Sequence, residues 1–237
     1  MEKMRLDKFL STAKVLSRKE TVVALKKHQI TINDKFATSK DQVVCENDII
    51  KYNGKVITCE KYIYLMLNKP AGYVSSTDDP RDLTVLDLLP DIYKKYNLFP
   101  CGRLDKDTVG LVILTNNGIA SHKLLSPKSH VEKTYYFEIA DPITNEKIKA
   151  IEDGIMLADG YITKPCKINM KTNTSGDIIL TEGKYHEIKR MFGAVGNKIT
   201  YLKRTTFDKI LLDPTLAEGD FRALTDEEKQ VFEQFEK

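Results

Sequence analysis

The sequence predicts an α+β fold whose sheet is mixed and largely antiparallel. Three observations lead there. Segments of strand and helix character follow one another without the regular βαβ alternation that builds parallel sheets. The stretch up to about Thr58 reads as two short helices and a small sheet, a compact module of its own. The 237 residues are 41% apolar, enough for a real core and for one domain or two.

Taken in order, Leu6, Phe9, Leu10, Ala13 and Leu16 recur at helical spacing. Ser17 and Glu20 form a capping box that opens a second helix through Lys27. Ile30-Thr31-Ile32 alternates toward an Asn33-Asp34 turn. Asp48 to Lys51 and Lys55 to Thr58 flank Asn53-Gly54, a strong hairpin signal. The short link Cys59-Glu60-Lys61 then separates a domain over 1–58 from one over 62–237.

Tyr62 to Leu67 reads as a buried strand, ending where Pro70 and Gly72 turn the chain in Asn68-Lys69-Pro70-Ala71-Gly72. Asp78 to Asp82 is a polar, mobile loop, and Val85 to Leu89 a short helix stopped by Pro90. A glycine-hinged loop, Gly102 to Gly110, feeds an apolar strand that closes at Thr115-Asn116-Asn117-Gly118. Val131 to Ile139, Asp177 to Thr181 and Ile199 to Phe207 are further strands. Thr144 to Asp153 is a helix with Gly154 to cap it. His186 to Val195 is helical, with Ile188, Met191, Phe192 and Val195 on one face and Gly196 as its stop. Thr225 with Glu228 opens a last capped helix.

The net charge is only +3, but it is unevenly spread. Lys3 to Lys27 holds eight basic residues against Asp7 and Glu20. Lys184 to Arg204 holds six against Glu187, and Asp208 to Lys237 carries nine acids and four bases. Basic stripes on a nearly neutral chain point to a polyanion bound on particular faces. Cys45, Cys59, Cys101 and Cys166 are scattered, and no pair has zinc-ligand spacing, so they read as free thiols in a reducing compartment. The N-terminus lacks the apolar core of a signal peptide, and no apolar run approaches a membrane span. The expectation is a soluble, cytoplasmic protein with no metal and no membrane partner.

The chemistry concentrates in Gly102-Arg103-Leu104-Asp105-Lys106-Asp107-Thr108-Val109-Gly110-Leu111. A carboxylate sits just beyond an arginine, on a loop that a buried strand holds still. The run resembles the G-R-L-D motif of the pseudouridine synthases of the S4-domain rRNA family. The resemblance makes Asp105 the catalytic residue, with Arg103 and Leu104 beside the substrate pocket. Lys133-Thr134-Tyr135 resembles the family's second motif, whose tyrosine packs beside the target base. A flipped pyrimidine needs such a flat partner. Glu182-Gly183-Lys184-Tyr185-His186-Glu187-Ile188-Lys189-Arg190-Met191-Phe192 resembles the third. The basic residue that pairs with the aspartate falls on Lys189, a point charge where related branches use an arginine fork. Lys184, His186 and Arg190 are candidate RNA contacts. Leu202 matches the leucine that lines the base pocket. Asn68-Lys69-Pro70-Ala71-Gly72 also resembles the synthase domain, and Lys69 is expected either to hold RNA backbone or to support the floor of the site.

The N-terminal block resembles the S4 RNA-binding domain through Arg5-Leu6-Asp7-Lys8-Phe9-Leu10, Ser17-Arg18-Lys19-Glu20, Val22 to Lys27, Ile30 to Asn33 and Glu46 to Ile50. His28 stands where a glycine often follows the second helix. The resemblance implies RNA contacts from Arg5, Lys8, Arg18, Lys19, Lys26 and Lys27, made to phosphates without reading bases.

Together these motifs imply an isomerase that converts a uridine of ribosomal RNA to pseudouridine, breaking the N1–C1′ bond and rejoining the ring through C5. It needs no cofactor. The Lys-Thr-Tyr and Gly-Lys-Tyr-His forms resemble the branch acting on small-subunit 16S rRNA, within an assembly intermediate. Two alternatives stay open: a synthase for large-subunit 23S rRNA, and a non-catalytic S4-type assembly factor. A methyltransferase would need a nucleotide-binding Gly-x-Gly-x-x-Gly after a strand, and the sequence has none. The sequence leaves open whether Asp105 attacks C1′, takes a proton from C2′ or adds to the base, and leaves open the oligomeric state.

Overall fold

A computed structural model of the chain describes residues 3–45, 47–59 and 62–235. Of the residues singled out above, Glu46 and the link residues Glu60 and Lys61 lie outside them. The chain divides into two compact units, Met1–Ile63 and Tyr64–Lys237.

The first unit runs β1 (Met4–Arg5), α1 (Leu6–Thr12), α2 (Arg18–Lys26), β2 (Ile30–Ile32), β3 (Lys35–Phe36), β4 (Val43–Val44), β5 (Ile50–Tyr52) and β6 (Lys55–Val56). β3-β2-β5-β6 form an antiparallel sheet, and β1 pairs with β4. α1 is shorter than the apolar spacing suggests: Lys14 turns left-handed at φ +57°, and Leu16 reaches the core from the turn beyond the helix. Both halves of the Ser17 capping box are made, at 2.7 and 3.2 Å. Asn33 and Asp34, like Asn53 and Gly54, take positive φ at both central positions, the backbone of a two-residue hairpin turn. His28 adopts the left-handed conformation at φ +51°, and its ring meets Phe36 edge-on at 5.3 Å. Leu6, Leu10, Ala24, Ile30, Val44 and Ile50 bury the shared face.

The second unit contains β7 (Tyr64–Lys69), β8 (Phe99–Cys101), β9 (Val109–Thr115), α3 (Gly118–Leu125), β10 (Lys133–Ile139), α4 (Asn145–Glu152), β11 (Lys167–Thr172), β12 (Ser175–Leu180), α5 (Glu187–Ala194), β13 (Ile199–Phe207), β14 (Ile210–Leu211), β15 (Phe221–Ala223) and α6 (Asp226–Glu233). One nine-stranded sheet follows the path β11-β12-β10-β13-β9-β7-β15, with β8 on β9 and β14 on β13. Its described pairings are antiparallel except β9–β13. The mixed, mostly antiparallel α+β architecture is the one expected. Gly110 makes the parallel contact possible: it has φ +99°, and a Cβ there would lie 2.3 Å from the Arg204 carbonyl oxygen.

Three local expectations need correction. β7 continues through Asn68 and Lys69, which pair with Leu111 and Gly110, so the turn begins only at Pro70. Val85 to Leu89 is not a helix but a series of turns, with the Asp87 carboxylate accepting from Thr84 N–H at 2.7 Å. A 3-10 helix, Asp91–Tyr96, follows Pro90 instead. Proline's fixed φ and missing N–H suit the start of such a helix. The Asp78–Asp82 loop is tied down: Asp79 accepts from the Arg81 and Asp82 N–H groups at 2.9 and 3.0 Å, and Asp82 pairs with Lys106 at 2.6 Å. Among the described residues no helix is long and apolar enough to cross a membrane.

Candidate active site

The loop between β8 and β9 carries Asp105, and a buried lysine shapes it. The Lys69 side chain is fully buried. Its Nζ donates to the Pro70, Asp105 and Lys106 carbonyls at 3.1 Å each and to Thr108 at 2.7 Å. One amine at the end of a rigid strand thus fixes the path of the backbone at Asp105. Burial pushes this amine down to about 8, although Asp107 and Asp105 oppose the shift. Lys69 therefore has no access to RNA backbone, because its N–H groups point inward to the loop. Ser75 Oγ closes the other side, donating to the Leu104 carbonyl and accepting from its N–H, both at 3.0 Å.

The Asp105 side chain meets the first turn of α5. Lys189 Nζ lies 2.9 Å from Asp105 Oδ2 and 2.5 Å from Asp107 Oδ1, and His186 Nε2 lies 3.7 Å from Asp105 Oδ1. Partial burial works against charge on Lys189, but its hydrogen bonds to Asp107 and Asp105 outweigh it and raise its pKa. Burial likewise opposes ionisation of Asp107, and Lys189 more than compensates, lowering it. The result is a cation shared by two carboxylates. The sequence does not single out Asp107; its place one residue past Lys106 in the same loop is the only signal it leaves.

Of these groups Asp105 and His186 line a cavity of about 920 Å³, while Lys189 faces a small recess beside it. Arg103 stands exposed at the cavity rim, whereas Leu104 is buried beneath. Tyr135 on β10 forms part of the wall, and the recess is also lined by Leu202, Leu180 and Ile188. Lys184 is exposed, its Nζ 4.8 Å from the Tyr161 ring centre. His186 takes the left-handed conformation at φ +49°, and its ring stacks on exposed Tyr185 at 3.8 Å. Arg190 is engaged by Asp159 at 2.6 Å, so its charge is partly neutralised before any RNA arrives.

A second carboxyl pair supports the wall. Burial, then the hydrogen bond to Glu182, pushes Glu187 up to about 8, so it keeps its proton at neutral pH. Glu182 stays ionised: burial opposes its charge, but hydrogen bonds from Glu187, Tyr161 and the Lys164 N–H outweigh it. Tyr161 Oη reaches Glu182 at 2.6 Å, and the Lys184 N–H reaches Glu187 at 2.8 Å. This pair pins the turn that starts α5, and with it Lys189. In the sequence both glutamates stand inside the third motif with nothing to mark this role.

In the first unit Arg5 is tied to Asp7 through Nε at 3.1 Å and Nη2 at 2.8 Å, and it also pairs with Asp41. These two carboxylates offset its charge, while the side chain stays half exposed. Lys8, Arg18, Lys19, Lys26 and Lys27 are exposed. Among the described residues no group of His, Cys, Asp or Glu has the arrangement of a metal site.

A carboxylate clamped between a main-chain scaffold and a lysine faces a cavity with a tyrosine wall, an arrangement able to present a held acid–base group to a bound molecule. Comparison with known proteins gives the class of the protein. Residues 63–194 match the family of RNA pseudouridylate synthases. A Bacillus subtilis protein named as the uncharacterized RNA pseudouridine synthase YtzG is 44% identical over 230 residues, covering 95% of this chain and 96% of the relative. The ribosomal small subunit pseudouridine synthase A of Vibrio vulnificus is 38% identical over 228 residues, covering 95% and 97%. A crystal structure of a pseudouridylate synthase, 36% identical, superposes with a TM-score of 0.69 and covers 97% of this chain and 99% of that one. The chain belongs to the RNA pseudouridylate synthase family.

Proposed function

We propose that the protein isomerises one uridine of small-subunit 16S rRNA to pseudouridine, with Asp105 as the catalytic group. The observation that carries the reading is the Asp105–Lys189 pair at the cavity that Tyr135 lines. The target uridine leaves its stack, at a cost of a few kcal/mol. Tyr135 then supplies a flat face for the ring, and Leu202 the apolar contact beside it. Lys189 holds the Asp105 carboxylate in one orientation, and the Lys69-bound loop holds its backbone. The N1–C1′ bond breaks, the ring turns, and C5 bonds to C1′ as its proton leaves and N1 takes one up. Nothing is added or removed overall.

The small-subunit assignment draws on the Gly-Lys-Tyr-His run and on the name of the Vibrio vulnificus relative. The unstacking step favours RNA that is still incompletely folded, as in an assembling subunit. Such a substrate supports the cytoplasm as the protein's compartment, and its four free cysteines suit a reducing environment. Exposed Lys8, Arg18, Lys19, Lys26 and Lys27 would dock the RNA through phosphates.

Mapping pseudouridine across rRNA from cells with and without the protein tests this reading. The expected result is the loss of one site in 16S rRNA. A loss confined to 23S rRNA would overturn the small-subunit assignment, and no loss in either would overturn rRNA as the substrate.

A further inference from the structure

Beside Tyr135, the wall of the cavity holds two cations that no carboxylate among the described residues pairs with. Arg204 on β13 is 1% exposed. Its Nε donates to the Leu111 carbonyl at 2.7 Å, while among the described residues its buried Nη2 has no partner. The guanidinium carbon lies 5.3 Å from the centre of the Phe207 ring, and Lys133 Nζ lies 5.9 Å from the same centre. Lys133 Nζ donates to the Val131 carbonyl at 2.9 Å. Among the described residues neither side chain makes an ion pair. Burial, and then the charge on Arg204, push Lys133 down to about 8. Among the described residues the carboxyl whose charge opposes this shift is Glu187, which burial and Glu182 push toward its own neutral form.

A buried guanidinium is costly unless a counter-charge and acceptors satisfy it. The single bond to Leu111 does not explain the charge, since a neutral amide would make it equally well. Both side chains line the cavity, so the missing acceptor has a route in. Tyr135 and Arg204 are register partners on β10 and β13, which places the guanidinium next to the wall that receives the base. Gly102 leaves the approach open: a Cβ there would stand 3.2 Å from Leu125 Cδ2 and 4.0 Å from Arg204 Nη1.

We infer that Arg204 and Lys133 form an anion subsite that takes a phosphate of the RNA backbone beside the target uridine. The phosphate chemistry follows from the two cations alone; its source in RNA rests on the synthase reading. An ionised phosphate supplies acceptor oxygens for the free guanidinium N–H groups and a charge that both cations lack. It would also fix the sugar of a neighbouring nucleotide while the base turns over against Tyr135.

The test has two arms on the full chain. In the first, without RNA, inorganic phosphate is titrated against chloride at equal ionic strength, and the Nε–H resonance of Arg204 is followed. The resonance should shift saturably with phosphate and not with chloride, and Lys133→Met should weaken this binding by about tenfold. Arg204→Gln should abolish it, and Lys133→Met keeps the arm decisive if the buried substitution fails to fold. No saturable shift in the native chain overturns the subsite. In the second arm, binding of a 16S rRNA transcript is measured against salt. Lys133→Met should reduce the slope of log affinity against log salt by about 0.7, one single-strand phosphate contact. An unchanged slope beside a positive first arm would overturn RNA as the source and leave a site for free phosphate. If phosphate binds as expected but no uridine is converted, the synthase reading falls and the anion site stands.

Discussion

Lys8, Arg18, Lys19, Lys26 and Lys27 of the first unit stand exposed, whereas Lys69, Lys189 and Arg204 of the second are held at fixed points by the fold. The first group can contact a phosphate chain in many registers, and losing one member removes one contact among several. Lys69 answers four carbonyls at once, and Lys189 answers two carboxylates. On the proposed function, basic side chains dock RNA in the first region and shape the site in the second. Substitutions should divide accordingly, between binding and turnover.

The largest separation is expected at Lys69. Lys69→Met removes the donor that holds the loop, so turnover should fall about a hundredfold, the scale of a small misplacement of a reacting group. RNA affinity should stay near that of the native protein; a parallel loss of affinity would return Lys69 to the docking group. The same amine gives a pH dependence. Its folded pKa, about 8, lies below the ordinary 10.5. The charged form is complete well below pH 8, so turnover should decline as pH rises through 8 and the amine loses a donor. Stability runs the other way: between pH 8 and 10.5 the unfolded chain binds the extra proton, so this group's contribution rises with pH. A turnover profile flat from about pH 7 to about 9.5, a span that brackets this titration, would contradict the assignment. Lys133, also near 8, is separated from Lys69 by repeating the profile on Lys133→Met.

At Lys189 a smaller loss is expected. Lys189→Met leaves Asp105 and Asp107 facing each other, and turnover should fall roughly tenfold to a hundredfold. Lys189→Arg, which restores a cation, should recover part of it. Equal rates for the two variants would show that the charge has no part in positioning Asp105. The smallest effect on chemistry belongs to the first unit. Arg18→Ala with Lys19→Ala should leave single-turnover rates at saturating RNA unchanged. It should flatten the salt dependence of affinity by about 0.7 to 0.9 per lost contact, and equally for different RNA sequences. An unchanged slope and affinity would remove these two side chains from the docking face.

The same division governs what the sequence makes visible. Capping boxes at Ser17–Glu20 and Thr225–Glu228 and the Asn53-Gly54 turn are local devices, and the elements they delimit form where their residues lie. Pro90 misleads because proline suits the start of one helix as well as the end of another. The site is non-local. Asp105 and Lys189 are 84 residues apart, and no periodicity joins them; only the motif resemblance sets them side by side. For Lys69 the sequence leaves RNA contact and support of the floor equally open, because its partners are main-chain carbonyls that leave no mark on the sequence. Arg204 escapes notice for the same reason.

On the proposed function Asp105 performs the isomerisation from a loop built beforehand by other residues. Asp105→Asn tests it most directly, with tritium release from 16S rRNA carrying tritium at uridine C5 as the readout and RNA affinity and thermal unfolding as companions. The amide keeps the size of the side chain and lacks the charge of a nucleophile or base. The variant should be a folded protein with near-native RNA affinity and no detectable tritium release. Substantial release by the folded variant would contradict this role for Asp105.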